Sequence, residues 1–308
     1  MSNPQIETTY IEVKGIPHYC EWIRTPSLTE QSKPIIVFLH GWGGSGRYWR
    51  STATALASDF DCLIYDLRGF GRSTFRNASS NLPQKDAGKF SYEMSDYAAD
   101  LAALLDTLNL DKIYLKAHSM GASIAAAFLN LYPQRVHRAI LTCTGIFEYD
   151  EKAFKTFHTF SRYVVLFRPK WLLLIPGMDQ LFMARFLHRP LPRQLSQEFL
   201  EDFLLADYEA AYQTVLTSVS QAATQWLPEQ FKNFSVKTLL ISGEKDIIIP
   251  AKMGLEAAKL NQNLEFSLMA NTAHFPMLED PVTYLETVQN FLKKPATLTS
   301  LSSQVVGS

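Results

Sequence analysis

Continuous apolar runs without polar alternation recur along this chain, separated by amphipathic segments. Such a run at residues 34–40 is typical of a strand that is covered on both faces. Further strands are predicted at 62–66, 112–116, 138–143, 236–242 and 264–269, and helices at 47–57, 94–108, 120–131 and 281–292. Strands that alternate with helices predict an α/β fold with a mostly parallel central sheet and right-handed crossovers. Before them, residues 9–23 alternate around Lys14-Gly15 and predict an antiparallel N-terminal hairpin.

A long insertion interrupts this pattern. From residue 147 to residue 234 the strand pattern stops, and the chain is rich in aromatic residues in helical segments. We therefore predict an inserted helical cap at 147–234, which splits one core domain into 1–146 and 235–295. The last residues, 296–308, carry no charge and predict a disordered tail.

The composition argues against several classes of protein. The 29 Lys and Arg residues nearly balance the 30 Asp and Glu residues, which is unlike a strongly basic nucleic-acid binder. Three dispersed cysteines, Cys20, Cys62 and Cys143, show neither metal-ligand spacing nor a disulfide framework. The N-terminus resembles no secretory signal, and the apolar stretch at 163–176 is too short to span a bilayer. These features predict a protein that is cytoplasmic or peripherally associated with a membrane, with neither a metal nor a nucleic-acid partner.

One motif suggests a dinucleotide-binding site. Gly41 to Gly46 fits G-x-G-x-x-G after a predicted strand, and Asp66 follows Gly46 by 20 residues, at the end of the next strand. In a nicotinamide-dependent oxidoreductase, such a loop holds pyrophosphate and such an aspartate holds the ribose. His40 directly before the first glycine and the preceding hairpin argue against this interpretation, which also leaves three later motifs unexplained.

A serine at a strand-to-helix junction is the strongest chemical signal. Ser119 follows the strand that ends near Ala117 and precedes Met120-Gly121 and a helix of small residues. Small neighbours permit a sharp, strained turn that exposes a hydroxyl, and the helix directs free amides toward it.

A serine nucleophile needs a base and an acid that orients the base. Asp246 follows the predicted strand at 236–242, and His274 follows the predicted strand at 264–269. Both therefore lie at the carboxyl ends of strands in the same sheet. Glu244 is the competing acid, and none of the other six histidines lies at that strand end.

Together these residues resemble the α/β-hydrolase fold superfamily, of the serine esterase type with a helical cap. Residues 117–121 resemble its G-x-S-x-G elbow, with Ala117 in place of the first glycine, and residues 40–44 resemble its H-G-x-x-G turn. The segment 66–73 resembles the D-x-R-G-x-G-x-S loop of the same fold. The resemblance implies a Ser119, His274 and Asp246 triad and an oxyanion hole formed by the Trp42 and Met120 amides. It implies no cofactor.

The resemblance further implies hydrolysis of a carboxylic ester through an acyl-enzyme. A serine rather than an aspartate at the elbow argues against haloalkane dehalogenases and epoxide hydrolases. Thioesterases, carbon–carbon bond hydrolases and cofactor-free haloperoxidases share the triad, and a non-catalytic ligand-binding protein is a further alternative. The aromatic residues of the predicted cap favour an apolar ester with a long acyl chain or a prenyl-type alcohol. The cations between them also suit a lid in contact with a membrane surface.

Overall fold

Eight strands form one sheet in this computed structural model, which describes residues 3–26, 32–74 and 90–294. The strand order is β1-β2-β4-β3-β5-β6-β7-β8. The strands are β1 Gln5–Val13, β2 Ile16–Arg24, β3 Ile35–Leu39, β4 Asp61–Tyr65, β5 Ile113–His118, β6 Val136–Thr142, β7 Thr238–Gly243 and β8 Leu264–Met269.

The sheet is antiparallel only at its N-terminal edge. β1 pairs with β2 and β2 with β4 in antiparallel register, and all the other neighbours are parallel. Lys14 and Gly15 connect β1 to β2 with φ angles of 52° and 79°, as a two-residue hairpin turn requires. The predicted α/β fold class, with a mostly parallel sheet and an N-terminal hairpin, is confirmed.

Helices cover both faces of the sheet. The helices outside the segment between β6 and β7 are α1 Arg50–Leu56, α2 Met94–Thr107, α3 Met120–Leu131, α9 Ala251–Ala258, α10 Pro276–Glu279 and α11 Pro281–Lys293. Along β3, Val37 and Leu39 belong to one buried cluster with α2 and α3, whereas Ile36 and Phe38 belong to another with α1 and α11. Period-two alternation with apolar residues on both sides therefore explains the continuous apolar run.

One lysine is an exception in this core. Lys116 on β5 is fully buried, and its Nζ has no hydrogen-bond partner in the described residues. The Nζ lies 4.3 Å from the ring centre of Tyr284 and 5.4 Å from that of Trp49. Burial lowers the pKa of Lys116 well below its ordinary value.

Five helices lie between β6 and β7, and we call them the inserted helices. They are α4 Glu151–Leu166, α5 Met178–Met183, α6 Arg193–Leu205, α7 Tyr208–Ser218 and α8 Gln221–Lys232. Leu200, Phe203 and Leu204 of α6 form a small buried cluster of their own. No helix in the described ranges is long and apolar enough to cross a membrane. The exact domain boundaries stay a prediction, and the predicted tail at 296–308 lies outside the described residues.

Candidate active site

Ser119 occupies a strained turn between β5 and α3. Its φ of 53° and ψ of −123° lie in a region that residues with a side chain rarely adopt, so the surrounding contacts must hold it there. Gly121 makes the turn possible, because a Cβ at this position would lie 2.5 Å from the backbone oxygen of His40. The predicted small residue therefore lets α3 approach the end of β3.

The structure brings the three predicted triad residues together from three strand ends. His274 Nε2 lies 3.1 Å from Ser119 Oγ, and His274 Nδ1 lies 2.7 Å from Asp246 Oδ2. Since an ionised carboxylate only accepts hydrogen bonds, Nδ1 carries the proton and Nε2 accepts from the serine hydroxyl. Asp246 and His274 are buried, and Ser119 is partly exposed. The geometry suits proton transfer from Ser119 to His274.

The backbone fixes the carboxylate of Asp246. Its Oδ1 accepts hydrogen bonds from the amides of Ile248 and Ile249, at 2.8 and 3.0 Å. The rival acid Glu244 is exposed, accepts a hydrogen bond from the Asn271 amide and pairs with Lys245. Of the two acids, the structure therefore brings Asp246 to His274.

The H-G-x-x-G turn at residues 40–44, which we call the oxyanion loop, lies against the nucleophile. A Cβ at Gly41 would lie 3.1 Å from the Cβ of Ser119, so the loop backbone approaches closely because Gly41 has no side chain. Within the described part of the chain, the backbone N–H groups of Trp42 and Met120 donate to no protein acceptor. Two free amides near a serine hydroxyl are what an oxyanion hole requires.

Sequence reasoning missed a buried bridge that joins this loop to the base. The Gly41 N–H donates to the Tyr48 hydroxyl at 2.6 Å, and that hydroxyl donates to His118 Nδ1 at 2.9 Å. His118 Nε2 in turn donates to the backbone oxygen of His274 at 2.7 Å. Burial lowers the pKa of His118 well below 6.5, so its ring is neutral as this pattern requires. The sequence signal was His118 beside the serine, but nothing local indicated its partner Tyr48.

Glu279 was missed as well. Its Oε1 accepts hydrogen bonds from the Ala273 and Phe275 amides on either side of His274, at 2.9 and 3.3 Å. Its Oε2 accepts from the amides of His188 and Arg189, which follow α5. One buried carboxylate thus holds the histidine loop and the segment between α5 and α6 together. An acid five residues after His274 was the available signal.

The burial and hydrogen bonds of Asp66 argue against the dinucleotide-binding interpretation. Its carboxylate is fully buried, accepts from the Gly46 amide at 2.8 Å and pairs with Arg72 at 2.6 Å. The Arg72 hydrogen bonds overcome the effect of burial and lower the pKa of Asp66. Oxygens that are engaged in this way leave no acceptor for a ribose.

Aromatic residues from the segment between β6 and β7 lie against the histidine and the oxyanion loop. The Phe186 carbonyl accepts the backbone N–H of His274 at 2.9 Å, and the two rings lie 6.1 Å apart. The ring of Phe203 packs at a tilt against Trp42 of the oxyanion loop, with ring centres 5.7 Å apart, and the ring centre of Phe182 lies 5.0 Å from that of Phe203. The surroundings of the hydroxyl on this side are therefore apolar.

An ion pair between the partly exposed Arg47 and the buried Asp202 fastens α6 beside the oxyanion loop. Arg47 donates to both carboxylate oxygens of Asp202, at 3.0 and 2.6 Å, and Ser45 donates to the same carboxylate at 2.7 Å. Burial nevertheless raises the pKa of Asp202 to about 6.

A cavity of about 300 Å³ lies between α2, α3 and the last two inserted helices, α7 and α8. Its wall includes Ser123, one turn along α3 from Ser119, together with Leu216 and Trp226. Ser119 and His274 are not among its lining residues. The cavity is therefore a neighbour of the site and not the site itself.

One group of side chains in the described ranges has metal-ligand spacing. The ligand atoms of His118, Cys143 and His274 lie within 4.8 Å of one another. Both ring nitrogens of His118 are already hydrogen-bonded, and burial raises the pKa of the Cys143 thiol well above its ordinary value. Because a metal needs a thiolate and a free imidazole nitrogen, we assign no metal to this group.

Comparisons with known proteins agree with this architecture. The family model for the alpha/beta hydrolase fold matches residues 34–281. The "Putative carbamate hydrolase RutD" of Pseudomonas savastanoi pv. phaseolicola is 25% identical over 266 residues, which cover 84% of this chain and 93% of that protein. An esterase of Exiguobacterium antarcticum superposes with a TM-score of 0.75 at 20% identity, covering 94% of this chain and all of the other. The carboxylesterase CesB of Bacillus subtilis superposes with a TM-score of 0.72 at 17% identity, covering 95% and 93%.

Proposed function

From its membership of the alpha/beta hydrolase fold family, we propose that this chain is a serine hydrolase that cleaves a hydrophobic carboxylic ester. The observation that carries the proposal is the hydrogen-bonded series of Ser119, His274 and Asp246, with distances of 3.1 and 2.7 Å. A strained, partly exposed serine beside two free amides has no evident structural purpose, but it is what acyl transfer requires.

In the proposed reaction, Ser119 Oγ attacks the ester carbonyl carbon and gives its proton to His274 Nε2. The carbonyl oxygen becomes an oxyanion, and the Trp42 and Met120 amides donate to it. Asp246 stabilises the imidazolium that forms on His274. When the intermediate collapses, the alcohol leaves with the proton from His274, and Ser119 holds the acyl group.

Water then completes the cycle. His274 takes a proton from a water molecule, whose oxygen attacks the acyl-enzyme carbonyl. The second tetrahedral intermediate expels Ser119 Oγ, which recovers its proton from His274, and the carboxylic acid is released. Every step uses side chains and amides of this chain, so the proposed reaction has no requirement for a cofactor.

The aromatic residues near His274 support an apolar substrate. Phe199 and Phe203 of α6 and Phe186 between α5 and α6, with Trp42 and Phe275 of the core, present rings rather than hydrogen-bonding groups on this side. Such walls favour a long acyl chain or a prenyl-type alcohol, because burial of apolar surface provides the binding free energy. We therefore propose that the inserted helices act as a cap over the ester.

The similarity to RutD makes a carbamate the second substrate class to test. The same serine attack on a carbonyl would cleave it, with an amine or alcohol as the leaving group. A short polar carbamate would be bound poorly by the aromatic walls, which is why an apolar ester is the first candidate.

The decisive test measures hydrolysis of p-nitrophenyl esters of increasing chain length by the wild-type protein and by Ser119→Ala. We expect turnover that rises with chain length and vanishes in the variant, whereas the exposed control Ser51→Ala keeps it. Asp246→Asn should lower kcat by about 10³-fold or more, and Glu244→Gln should leave it unchanged. A fluorophosphonate probe, which needs only an activated serine, should label the wild type and not Ser119→Ala. Absence of both turnover and labelling would contradict the proposal and favour a ligand-binding protein.

A further inference from the structure

The outer face of α4 and the residue after it expose large apolar side chains. Phe160 and Tyr163 of α4 and Phe167, directly after its last residue, follow one another at helical spacing and are 57%, 67% and 67% exposed. The apolar surface continues beyond the helix through Trp171, which is 51% exposed and whose ring lies 6.2 Å from that of Phe167. Leu174 is 82% exposed. Single exposed apolar residues are ordinary, but a run of this kind marks an interaction surface.

Packing of α4 on the protein does not explain this face. Among the residues of α4 whose burial the structure describes, Ser161 and Val165 are buried, and Val164 packs against the cluster of α6. Ser161 and Val165 lie on the inner side of the helix, away from Phe160, Tyr163 and Phe167, whereas Val164, four residues after Phe160, lies at the edge between the two sides. The helix therefore has a second apolar face, which no described part of the chain covers.

The charge around this face differs sharply from that of the rest of the protein. Residues 152–193 contain eight Lys and Arg residues and a single acidic residue, Asp179, a net charge of +7. Since the whole chain has a formal net charge of −1, the remaining residues together carry −8. A charge separation of this size orients a protein in an electric field and directs this region toward negative surfaces.

Five of these eight cations are free to meet such a surface. Lys152, Lys155, Arg162, Lys170 and Arg185 are exposed, and none of them forms an ion pair within the described ranges. Arg168 differs, because its guanidinium donates to the carbonyls of Phe203 and Ala206. Arg168 therefore fixes the end of α4, while Lys155, Arg162 and Lys170 remain available close to the exposed rings.

We propose that this surface docks on an anionic lipid bilayer, and we call it the docking face. It comprises the apolar residues Phe160, Tyr163, Phe167, Trp171 and Leu174 with the cations Lys155, Arg162 and Lys170. An amphipathic helix with aromatic residues on one side and cations at the edge lies in the membrane interface, with rings among the acyl chains and ammonium groups near the phosphates. The docking face lies on the surface of the bilayer, because no described helix is able to span it.

The charges also favour a bilayer over a second copy of this chain. Two copies that met through the docking face would each bring a region of net charge +7, and these regions would repel one another. A purely acidic soluble partner would leave the exposed rings unburied. An anionic membrane accommodates both the rings and the cations. This proposal stands independently of the proposed ester hydrolysis.

The test is sedimentation of the full-length protein with phosphatidylcholine vesicles that contain or lack phosphatidylglycerol. We expect binding to the anionic vesicles, weaker binding at high salt and little binding to phosphatidylcholine alone. Trp171 is the exposed member of five tryptophans, all of them in described ranges, so its fluorescence should shift to shorter wavelength on binding. Trp171→Phe should remove that shift and keep the binding.

Matched variants connect the binding to the docking face. Lys170→Glu and Leu174→Ser should each lower vesicle partitioning by about tenfold. Their controls are Lys112→Glu and Val282→Ser, which change an exposed lysine and an exposed apolar residue outside the inserted helices. The proposal is overturned if the anionic vesicles do not bind the protein, or if the controls lose as much binding. It is overturned equally if Leu174→Ser dissociates a dimer in the absence of vesicles, because a second copy would then cover the face.

Discussion

Replacement of Tyr48 by Phe tests whether the buried bridge supports both stability and catalysis. The Tyr48 hydroxyl accepts from Gly41 N–H at 2.6 Å and donates to His118 Nδ1 at 2.9 Å, and it is shielded from water. The variant keeps the ring and its stacking on Phe199, whose centre lies 5.2 Å away. The change therefore removes two hydrogen bonds and little else.

The expected magnitude follows from the two groups that lose their partner. Each buried donor or acceptor without a hydrogen bond costs about 1–3 kcal/mol, so the free energy of unfolding should fall by about 2–6 kcal/mol. Activity should fall as well, because Gly41 precedes the proposed oxyanion donor Trp42 and His118 holds the backbone of His274. We expect kcat on the best p-nitrophenyl ester to fall by about tenfold or more, with KM little changed.

Tyr97→Phe is the control for this experiment. Tyr97 is also buried, and its hydroxyl donates to the Arg68 carbonyl at 3.1 Å, away from the site residues described above. This variant should lose stability in urea unfolding and keep kcat. The reasoning is refuted if Tyr48→Phe is as stable as the wild type, or if its kcat falls no further than that of Tyr97→Phe.

Three further predictions concern buried groups. Lys116→Met should raise the free energy of unfolding at neutral pH by about 1–3 kcal/mol, because the amine has no hydrogen-bond partner among the described residues. Because the pKa of Lys116 is lowered in the folded protein, the unfolded wild-type chain binds one more proton than the folded chain. The stability advantage of the variant in urea unfolding should therefore shrink as the pH rises toward the pKa of lysine in the unfolded chain. A variant that is less stable than the wild type would contradict this prediction. The pKa of Asp202, raised to about 6 from 3.8, means that the folded protein binds the extra proton at mildly acidic pH. The free energy of unfolding of the wild type, relative to that of Asp202→Asn, should therefore increase by about 2 kcal/mol from about pH 7 to about pH 4. If the difference between the two proteins does not change with pH, the pKa of Asp202 is not raised. Gly121→Ala should lower kcat by about tenfold or more with circular dichroism unchanged, because its Cβ would meet the His40 carbonyl at 2.5 Å; full activity would show that the elbow relaxes freely.

The local pattern of the sequence was sufficient for most elements. The helix predicted at 120–131 is α3 Met120–Leu131, and the strand predicted at 264–269 is β8 Leu264–Met269. Helix α9, Ala251–Ala258, was not predicted, since eight residues give a weak periodic signal. Periodicity reports which face of an element is apolar, and it therefore works best for long, regular elements.

The candidate site was predictable in part, because its residues follow successive strands of one parallel sheet. The carboxyl ends of such strands meet at one edge, so Ser119, Asp246 and His274 could be expected near one another. Their hydrogen-bond distances and the bridge through Tyr48 were not predictable. Tyr48 lies 7 positions after Gly41, in a single 3-10 turn of helix before α1. It meets His118, which is 70 positions further along the chain, only after this segment has packed against the end of β5.

The sequence by itself determined the order of strands and helices, the identity of the serine, acid and histidine, and the excess of cations between residues 152 and 193. Tertiary structure alone decided that Glu279 binds the amides beside His274, that Arg47 pairs with Asp202, and that no described residue covers the outer face of α4. The physical reason is that patterning within a segment specifies its own conformation, whereas a hydrogen bond or an uncovered face depends on which distant segment packs against it.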